Sequence, residues 1–413
     1  MPEHIHTTQF DIVIIGGGLA GASLAVALAG TAYKVAVIEP FEFDASAQPS
    51  YDERTIALTY SAKHIFTQIG VWDEPLEQSA CALKSIHISN KGHFGITNLS
   101  HKDVGMPALG YVIPTRAIGQ SLMKAMQSAE NVSFFCPFEA QQVNVESDTA
   151  HIQIKATDGA PQTLSAKLVV IADGGRSSIL KDLGFNLETK PYAQSALLSI
   201  VSSNLPHKNN AFERFVNDGP LALLPMNDQR YAVVWTLSPD DLNRISALSD
   251  DDYITELQST FGMRAGILSL PTPRKSYPLS KNILNRCYQP NILALGNAAH
   301  TVHPVAGQGF NLGLRDVAAL VEVLSAEDNT KNIGSEAFLK AYSEQRESDT
   351  KRVGQFTDGL LKVFASDSAL IKLGRNVGLS AIEKLPFIKR ALLKRTMGIS
   401  QHQPRLARGL KIR

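Results

Sequence analysis

Three glycines near the start constrain this chain more than any other feature it carries. Gly16-x-Gly18-x-x-Gly21 follows the β-branched run Asp11-Ile12-Val13-Ile14-Ile15 and opens the small-residue stretch Ala20 to Ala29, and Lys34-Val35-Ala36-Val37-Ile38-Glu39 then reads as a second strand. A short apolar run ending in glycines is how a fully buried parallel strand reads, and a helix of small residues can lie close on it. The pattern predicts a β-α-β unit at the head of an α/β, Rossmann-like sheet. Gly16 makes the turn, Gly18 lets a pyrophosphate reach the backbone, and Gly21 lets the helix close on the strand. The helix N-terminus adds free N–H groups and partial positive charge. Glu39, eighteen residues beyond Gly21, completes the fingerprint of a dinucleotide site. A carboxylate there accepts hydrogen bonds from an adenosine ribose and repels a 2′-phosphate, which favours FAD or NAD over NADP.

The same stretch has a competing reading. Ile12 to Gly30 is uncharged and almost long enough to span a bilayer. Gly16, Gly17, Gly18 and Gly21 interrupt it, and no Lys or Arg precedes Lys34, so neither a span nor a signal peptide is expected.

Two more strands end in glycine turns: Leu168-Val169-Val170-Ile171-Ala172 before Asp173-Gly174-Gly175, and Asn291-Ile292-Leu293-Ala294-Leu295 before Gly296-Asn297. One nucleotide-binding sheet assembled from distant segments is the expectation. Residues 185–284 alternate in Tyr231-Ala232-Val233-Val234-Trp235-Thr236 and read as a β-rich insertion, to which 81–106 also belongs. A chain of 413 residues exceeds what one core usually organises, so two lobes or a domain with a large insertion are expected.

The segment Gly296-Asn297-Ala298-Ala299-His300-x-x-His303-Pro304-x-x-Gly307-Gln308-Gly309-x-Asn311 is a glycine- and proline-shaped loop before a helix expected over 309–324. A helix N-terminus aimed here suits a flavin, whose reduced N1–C2=O edge gathers negative charge. Standing alone, the segment also reads as a glycine-rich loop before a surface helix. His300 and His303 lack a further acid or His at ligand spacing, and Pro304 follows at once, so no metal site is expected.

Net charge is +1 over 40 basic and 39 acidic side chains, which gives no reason to expect nucleic-acid binding. From residue 381 onward, however, nine Lys or Arg face one acid, Glu383. Leu385, Ile388 and Leu392 at i, i+3, i+7 with Lys389, Arg390, Lys394 and Arg395 describe a basic amphipathic helix starting at Pro386. It rests on an anionic membrane surface, caps the body, or docks a partner protein. Cys81, Cys136 and Cys287 are odd in number and widely spaced, which fits a reducing compartment and speaks against a disulfide framework.

With these pieces in order, the chain resembles the flavoprotein aromatic hydroxylases of the para-hydroxybenzoate hydroxylase type over essentially its whole length. The carriers are Gly16-Gly18-Gly21 with Glu39, Asp173-Gly174, and Gly296 to Asn311. Within that family it is similar to the ubiquinone-biosynthesis hydroxylases, through Asp52-Glu53-Arg54-Thr55-Ile56-Ala57-Leu58, Phe212-Glu213-Arg214-Phe215, Gly219 to Met226, and Gly374-Arg375-Asn376-Val377-Gly378-Leu379.

The resemblance implies a Rossmann-like FAD-binding domain (8–80, 107–184, 285–352), an inserted β-rich substrate domain (81–106, 185–284) and a C-terminal helical segment with a basic tail (353–413). It implies that Arg54 and Arg116 lie near the FAD phosphates or flavin, that Asp173 serves the FAD and pyridine-nucleotide segment, and that Gly296, Asn297, Gly307, Gly309 and Asn311 surround the flavin, with His300, Pro304 and Gln308 beside it. Where the family reads Gly-Asp, this chain has Gly296-Asn297, which can bond a ribityl chain but brings no charge. No second G-x-G-x-x-G is present, since Leu312 stands where its last glycine would be, so NAD(P)H is expected to bind transiently.

The implied reaction uses NAD(P)H and O2 to hydroxylate a polyprenyl phenol, 2-polyprenyl-6-methoxyphenol above all, through a flavin C4a-hydroperoxide. The implied setting is cytoplasmic, peripheral on the inner face of the plasma membrane, in a ubiquinone-biosynthesis complex or as a homo-oligomer. No residue marks itself as the base that deprotonates the phenol. The alternatives are a hydroxylase of another phenol, a flavin reductase or halogenase, and a non-catalytic flavoprotein scaffold. The halogenase W-x-W-x-I-P signature is absent, Trp72 and Trp235 standing isolated.

Overall fold

A computed structural model describes residues 8–42, 54–156, 159–216, 219–269, 272–326, 332–365, 368–399 and 403–411. Asp52 and Glu53, part of one similarity stretch, lie outside the described residues.

Five parallel strands form the middle of one sheet in the order Ile292–Ala294, Gln162–Ile171, Thr8–Ile15, Val35–Ile38, Val132–Phe135. Ile12, Val13 and Ile14 in the first strand and all of Val35–Ile38 are fully buried, because helices or strands cover both faces. The helix Leu19–Ala27 lies on one face beside Gln308–Leu324, which is buried along most of its length. Strands Phe138–Glu146 and Thr149–Ala156 extend the sheet antiparallel from Gln162–Ile171.

A second sheet runs His300–Thr301, Lys275–Leu284, Leu187–Ser203, Arg230–Leu237, Pro220–Met226, Asn210–Phe215, Ser85–Asn90, Ile96–Ser100. Cys81–Leu83 instead joins Gly110–Pro114 and Thr55–Thr59 in a small third sheet. The insertion also holds two helices, Pro239–Ser246 and Asp250–Phe261, which the reading of that segment as β-rich did not separate. Their start signals are visible in hindsight: Ser238 and Ser249 each accept a backbone N–H, and aspartates fill the first turns.

Three helices follow: Glu336–Ala365, Ala369–Lys384 and Pro386–Thr396. The last begins at Pro386 as expected, but its inner face is Leu393 and Met397, packed with Leu83, Leu99, Leu109 and Ala211. It therefore caps the β-rich sheet. Lys389 pairs with Asp103 and Glu383, and Arg390 donates to the Asp103 carbonyl, so part of the basic stripe is engaged within the protein. Phe387 and Leu385 stay exposed. Among the described residues no helix is long and apolar enough to cross a membrane.

Candidate active site

The first glycine turn is sterically closed to other residues. Gly16 has φ +104°, and a Cβ there would lie 2.8 Å from the backbone of Ala172 and Asp173. A Cβ on Gly21 would lie 1.9 Å from the Gly16 carbonyl oxygen. Gly18 caps the helix Leu19–Ala27 with no side-chain hydrogen bond, and no acid occupies the first turn. Positive potential is left uncancelled at that terminus. The buried Glu39 carboxylate accepts from Gly17 N–H at 2.7 Å and Phe41 N–H at 3.1 Å, which fixes it beside the turn.

The other fingerprints converge on this turn. Asp173 accepts from Gly175 N–H at 2.8 Å and Ser177 N–H at 2.9 Å, folding 173–177 into a tight loop. A Cβ on Gly175 would lie 3.6 Å from the Asn297 carbonyl oxygen, so this loop abuts the third segment. Gly296 packs 3.3 Å from the Ala20 methyl in the same measure, and Gly313 closes on Gly296. Asn297 is exposed between buried neighbours.

Gly307, at φ +62°, caps the helix Gln308–Leu324, again with no side-chain cap and no acid in the first turn. Gly309 faces open space. Asn311 is spent on the protein: its amide donates to Ala57 O at 2.8 Å and Gly307 O at 2.6 Å and accepts from Thr59 N–H at 2.8 Å. It pins the loop to the strand Thr55–Thr59. Arg54 and Arg116 come together because Thr115 N–H donates to the Arg54 carbonyl at 2.8 Å, and the Arg54 guanidinium lies 5.0 Å from the Tyr277 ring centre.

His300 and His303 serve different partners. His300 Nε2 is 2.7 Å from Asp316 Oδ2, and His303 Nδ1 accepts from Val305 N–H at 3.2 Å. Burial holds His303 down to about 4 against the opposing pull of Asp358, so it is neutral near pH 7. Gln308 is buried and donates to the Thr396 carbonyl at 3.4 Å, and Pro304 lines the cavity described below.

Behind the loop lies a buried charge network that the sequence did not announce. Asp316 accepts from Gly296 N–H at 3.3 Å and pairs with Arg346 at 2.7 Å as well as with His300. Arg346 and Arg315 both reach Asp349, at 2.8 and 2.7 Å. Burial pushes the Asp316 carboxyl up, but its interactions with His300 and the Arg346 guanidinium outweigh it and bring it down to about 2. Burial likewise works against the Arg346 charge, and Asp316 and Asp349 overcome it.

One cavity of about 1010 Å³ adjoins these loops. Asn297, Pro304, Val305, Gly307 and Gly309 bound it on one side, and Ile86, Ile88, Ala211, Ala222 and Val234 of the second sheet on another. Phe364, Ile371, Leu379, Ile382 and Leu392 roof it from the C-terminal helices. Its lining is overwhelmingly apolar, and its size is at the top of the range for small-molecule sites.

Residues 9–357 match the family model described as FAD binding domain. The chain is 32% identical to the ubiquinone hydroxylase UbiL of Rhodospirillum rubrum over 97% of this chain and 93% of that one. It is 29% identical to the 3-demethoxyubiquinol 3-hydroxylase of Escherichia coli over 94% and 98%. In fold it is similar to the p-nitrophenol 4-monooxygenase PnpA of Pseudomonas putida, with a TM-score of 0.78 at 16% identity, covering 96% of this chain and all of that one. The chain thus belongs to the FAD-binding-domain family of flavoprotein aromatic hydroxylases, and is an FAD-dependent monooxygenase that uses NAD(P)H and O2.

Proposed function

We propose that this chain hydroxylates the aromatic ring of a polyprenyl phenol in ubiquinone biosynthesis, with 2-polyprenyl-6-methoxyphenol as its substrate. The observation that carries the reading is the apolar cavity of about 1010 Å³ running from the glycine loops to the C-terminal helices, which can seat a ring at one end and isoprene units along the rest. The relatives in Rhodospirillum rubrum and Escherichia coli are named as ubiquinone and 3-demethoxyubiquinol hydroxylases, which supports the class of substrate.

The residues present fit FAD. The crowded turn at Gly16 and Gly21 admits backbone alone, two uncapped helix N-termini lack acids, and Glu39 stands beside the first. We assign Gly16, Gly18, Gly21, Glu39, Arg54, Arg116 and Asp173 to the nucleotide half. Gly296, Asn297, Gly307, Gly309 and Asn311 surround the flavin half, Asn311 by holding the loop, with His300, Pro304 and Gln308 next to it. Bound FAD supplies electron transfer from the nicotinamide and activation of dioxygen. The chain's own part is to hold the ring against that site, exclude water, and favour the phenolate, whose electron density activates the ring carbon. We divide the chain into an FAD-binding domain (8–80, 107–184, 285–352), a β-rich substrate domain (81–106, 185–284) and a C-terminal helical segment (353–413), with Cys81–Leu83 paired across the boundary into the small third sheet.

The purified holoprotein given NAD(P)H, O2 and a short-chain polyprenyl phenol is expected to form the catechol or quinol in near one-to-one ratio with reductant consumed, with little peroxide. Reductant oxidation that yields peroxide alone with every such phenol would sink the substrate reading. In a reductase or scaffold the phenol would change nothing.

Such a substrate resides in a bilayer, and we place the protein in the cytoplasm, peripheral on the inner face of the plasma membrane. Leu370, Leu373 and Val377 are exposed on the outer side of the helix whose inner side roofs the cavity, and Phe387 stands exposed nearby in sequence. Lys384, Lys394 and Arg395 are exposed in the same two helices, each contributing about 1 kcal/mol beside anionic lipid. The full chain is expected to float with vesicles containing anionic lipid, and Leu370→Glu with Phe387→Glu to cut the bound fraction at least fivefold. Equal flotation of the variant, or none of the wild type, would remove this contact.

A further inference from the structure

We propose that Glu213 is the base for the ring hydroxyl of the substrate, a reading that rests on the phenolic substrate proposed above. Glu213 sits in the middle of the strand Asn210–Phe215, paired with Ala222 on one side and Ile88 on the other. Across the sheet it belongs to a row made of Val234, Ala222, Glu213, Ile88 and Thr97, all lining the cavity. Apart from Thr97, whose hydroxyl donates to the Leu379 carbonyl at 2.5 Å, its neighbours in that row are apolar. Ala222 and Ala211 are short enough to leave the carboxylate open to the interior space.

Only two charged side chains line the cavity among the described residues, Glu213 and Arg375. Arg375 is occupied by the carbonyls of Val363 and Phe364, at 3.3 and 2.7 Å, and its guanidinium lies over the Phe364 ring. Glu213 forms no hydrogen bond or ion pair with any described residue, and burial is the sole influence on its carboxyl. A carboxylate in that setting is costly and is tolerated where something polar comes to it. A prenylated phenol carries its acidic proton on the ring and nothing ionisable on its tail, which suits a cavity with one such carboxylate and otherwise mostly apolar walls. Burial raises the Glu213 carboxyl to about 7, close to the working pH of a general base.

The proton balance closes on one oxygen. Free phenols are weaker acids than Glu213, so in the resting complex the carboxylate accepts a hydrogen bond from the ring O–H. As the ring carbon takes up the oxygen atom that the flavin and dioxygen supply, electron density leaves the ring oxygen and its proton becomes strongly acidic. Glu213 takes that proton, the O–H electron pair stays on the ring oxygen, and a dienone carbonyl forms. When the ring then loses its C–H proton to water and regains aromaticity, Glu213 returns its proton to the same oxygen.

The test compares wild-type, Glu213→Gln and Glu213→Asp holoenzymes with a short-chain prenyl phenol between pH 5.5 and 9. Three readouts are taken: phenol binding from perturbation of the flavin absorbance, product formed per reductant, and kcat/KM against pH. Glu213→Gln is expected to keep flavin content and to bind phenol within about threefold at pH 6. It should lower hydroxylation at least 100-fold, diverting reductant to peroxide, in line with a lost general base. The wild-type rise in kcat/KM through about pH 7 should vanish in Glu213→Gln and persist in Glu213→Asp, which recovers part of the rate. If the wild type hydroxylates while Glu213→Gln stays within threefold of it or keeps the rise, Glu213 is not the base and the substrate reading stands. If the wild type neither binds nor hydroxylates any prenyl phenol, both readings fall.

Discussion

Gly21→Val is expected to give a protein that carries no flavin through purification. The Cβ alone would stand 1.9 Å from the Gly16 carbonyl oxygen and 3.2 Å from the Ile14 side chain, so the helix Leu19–Ala27 must lift off the first strand. Lifting it opens the packing of Leu24 and Ala25 against the sheet and moves the N–H groups that meet the pyrophosphate. The cost is placed at more than about 4 kcal/mol, the range of severe core disruption. Flavin absorbance relative to protein absorbance, and thermal unfolding with and without added FAD, would measure it. Gly30→Ala is the control: Gly30 also has positive φ, +72°, but nothing lies within 4 Å of its Cβ, so only about 1 kcal/mol of backbone strain is expected and flavin should be retained. Equal flavin content in the two variants would contradict the role given to Gly21.

Arg346→Ala should cost about 3–5 kcal/mol, because it strands the buried Asp316 carboxylate with only the His300 ring and the Gly296 N–H as hydrogen-bond partners. Asp316→Asn should cost less, since an amide still accepts from Gly296 N–H and no buried negative charge is left unpaired. The acid dependence has a definite sign. Asp316 titrates at about 2 in the folded chain against roughly 4 when unfolded, so its contribution is complete above pH roughly 5 and disappears as pH falls through about 2. That contribution is on the order of 2 kcal/mol. Urea midpoints from pH 3 to 7 should therefore show the gap between wild type and Asp316→Asn narrowing below pH 4. A gap of constant width would mean that Asp316 gains nothing from its charge. Because Gly296 and His300 hang from this carboxylate, both variants should also weaken FAD retention.

The parts of the molecule legible in the sequence are those governed by short periods. Ile12 to Ile15 and Ile292 to Leu295 are runs that only a covered parallel strand keeps apolar on both faces, and glycine turns end them. Asp316 and Arg346 were not legible. Each reads as an ordinary charge on a helix, and only the packing of Gln308–Leu324 against Glu336–Ala365 reveals that they meet. Glu213 shares a strand face with Ala211 and Phe215, and nothing in Phe212-Glu213-Arg214-Phe215 says what covers that face. Helices some 150 residues later in the sequence cover that face and turn it into a cavity wall. The C-terminal helix was found at Pro386, and Leu392 of the Leu385-Ile388-Leu392 stripe does pack inward, but Leu385 stays exposed and the fully buried positions are Leu393 and, just past the helix, Met397. Periodicity states that a stripe exists; the partner element decides which residues it uses.

The parallel order of the first sheet has a consequence for biogenesis. The first strand, Thr8–Ile15, leaves the ribosome early with Val35–Ile38, but its other neighbour is Gln162–Ile171, and that strand in turn awaits Ile292–Ala294. At roughly 5–20 residues per second, a fully buried apolar edge stays unpaired for on the order of ten seconds or more during synthesis. The last segment to arrive also brings Gly296 to Asn311, so the dinucleotide turn exists long before the other half of its site. Cofactor loading therefore waits until that segment has emerged. Nascent chains stalled before residue 290 should engage holdase chaperones at the exposed strand edge.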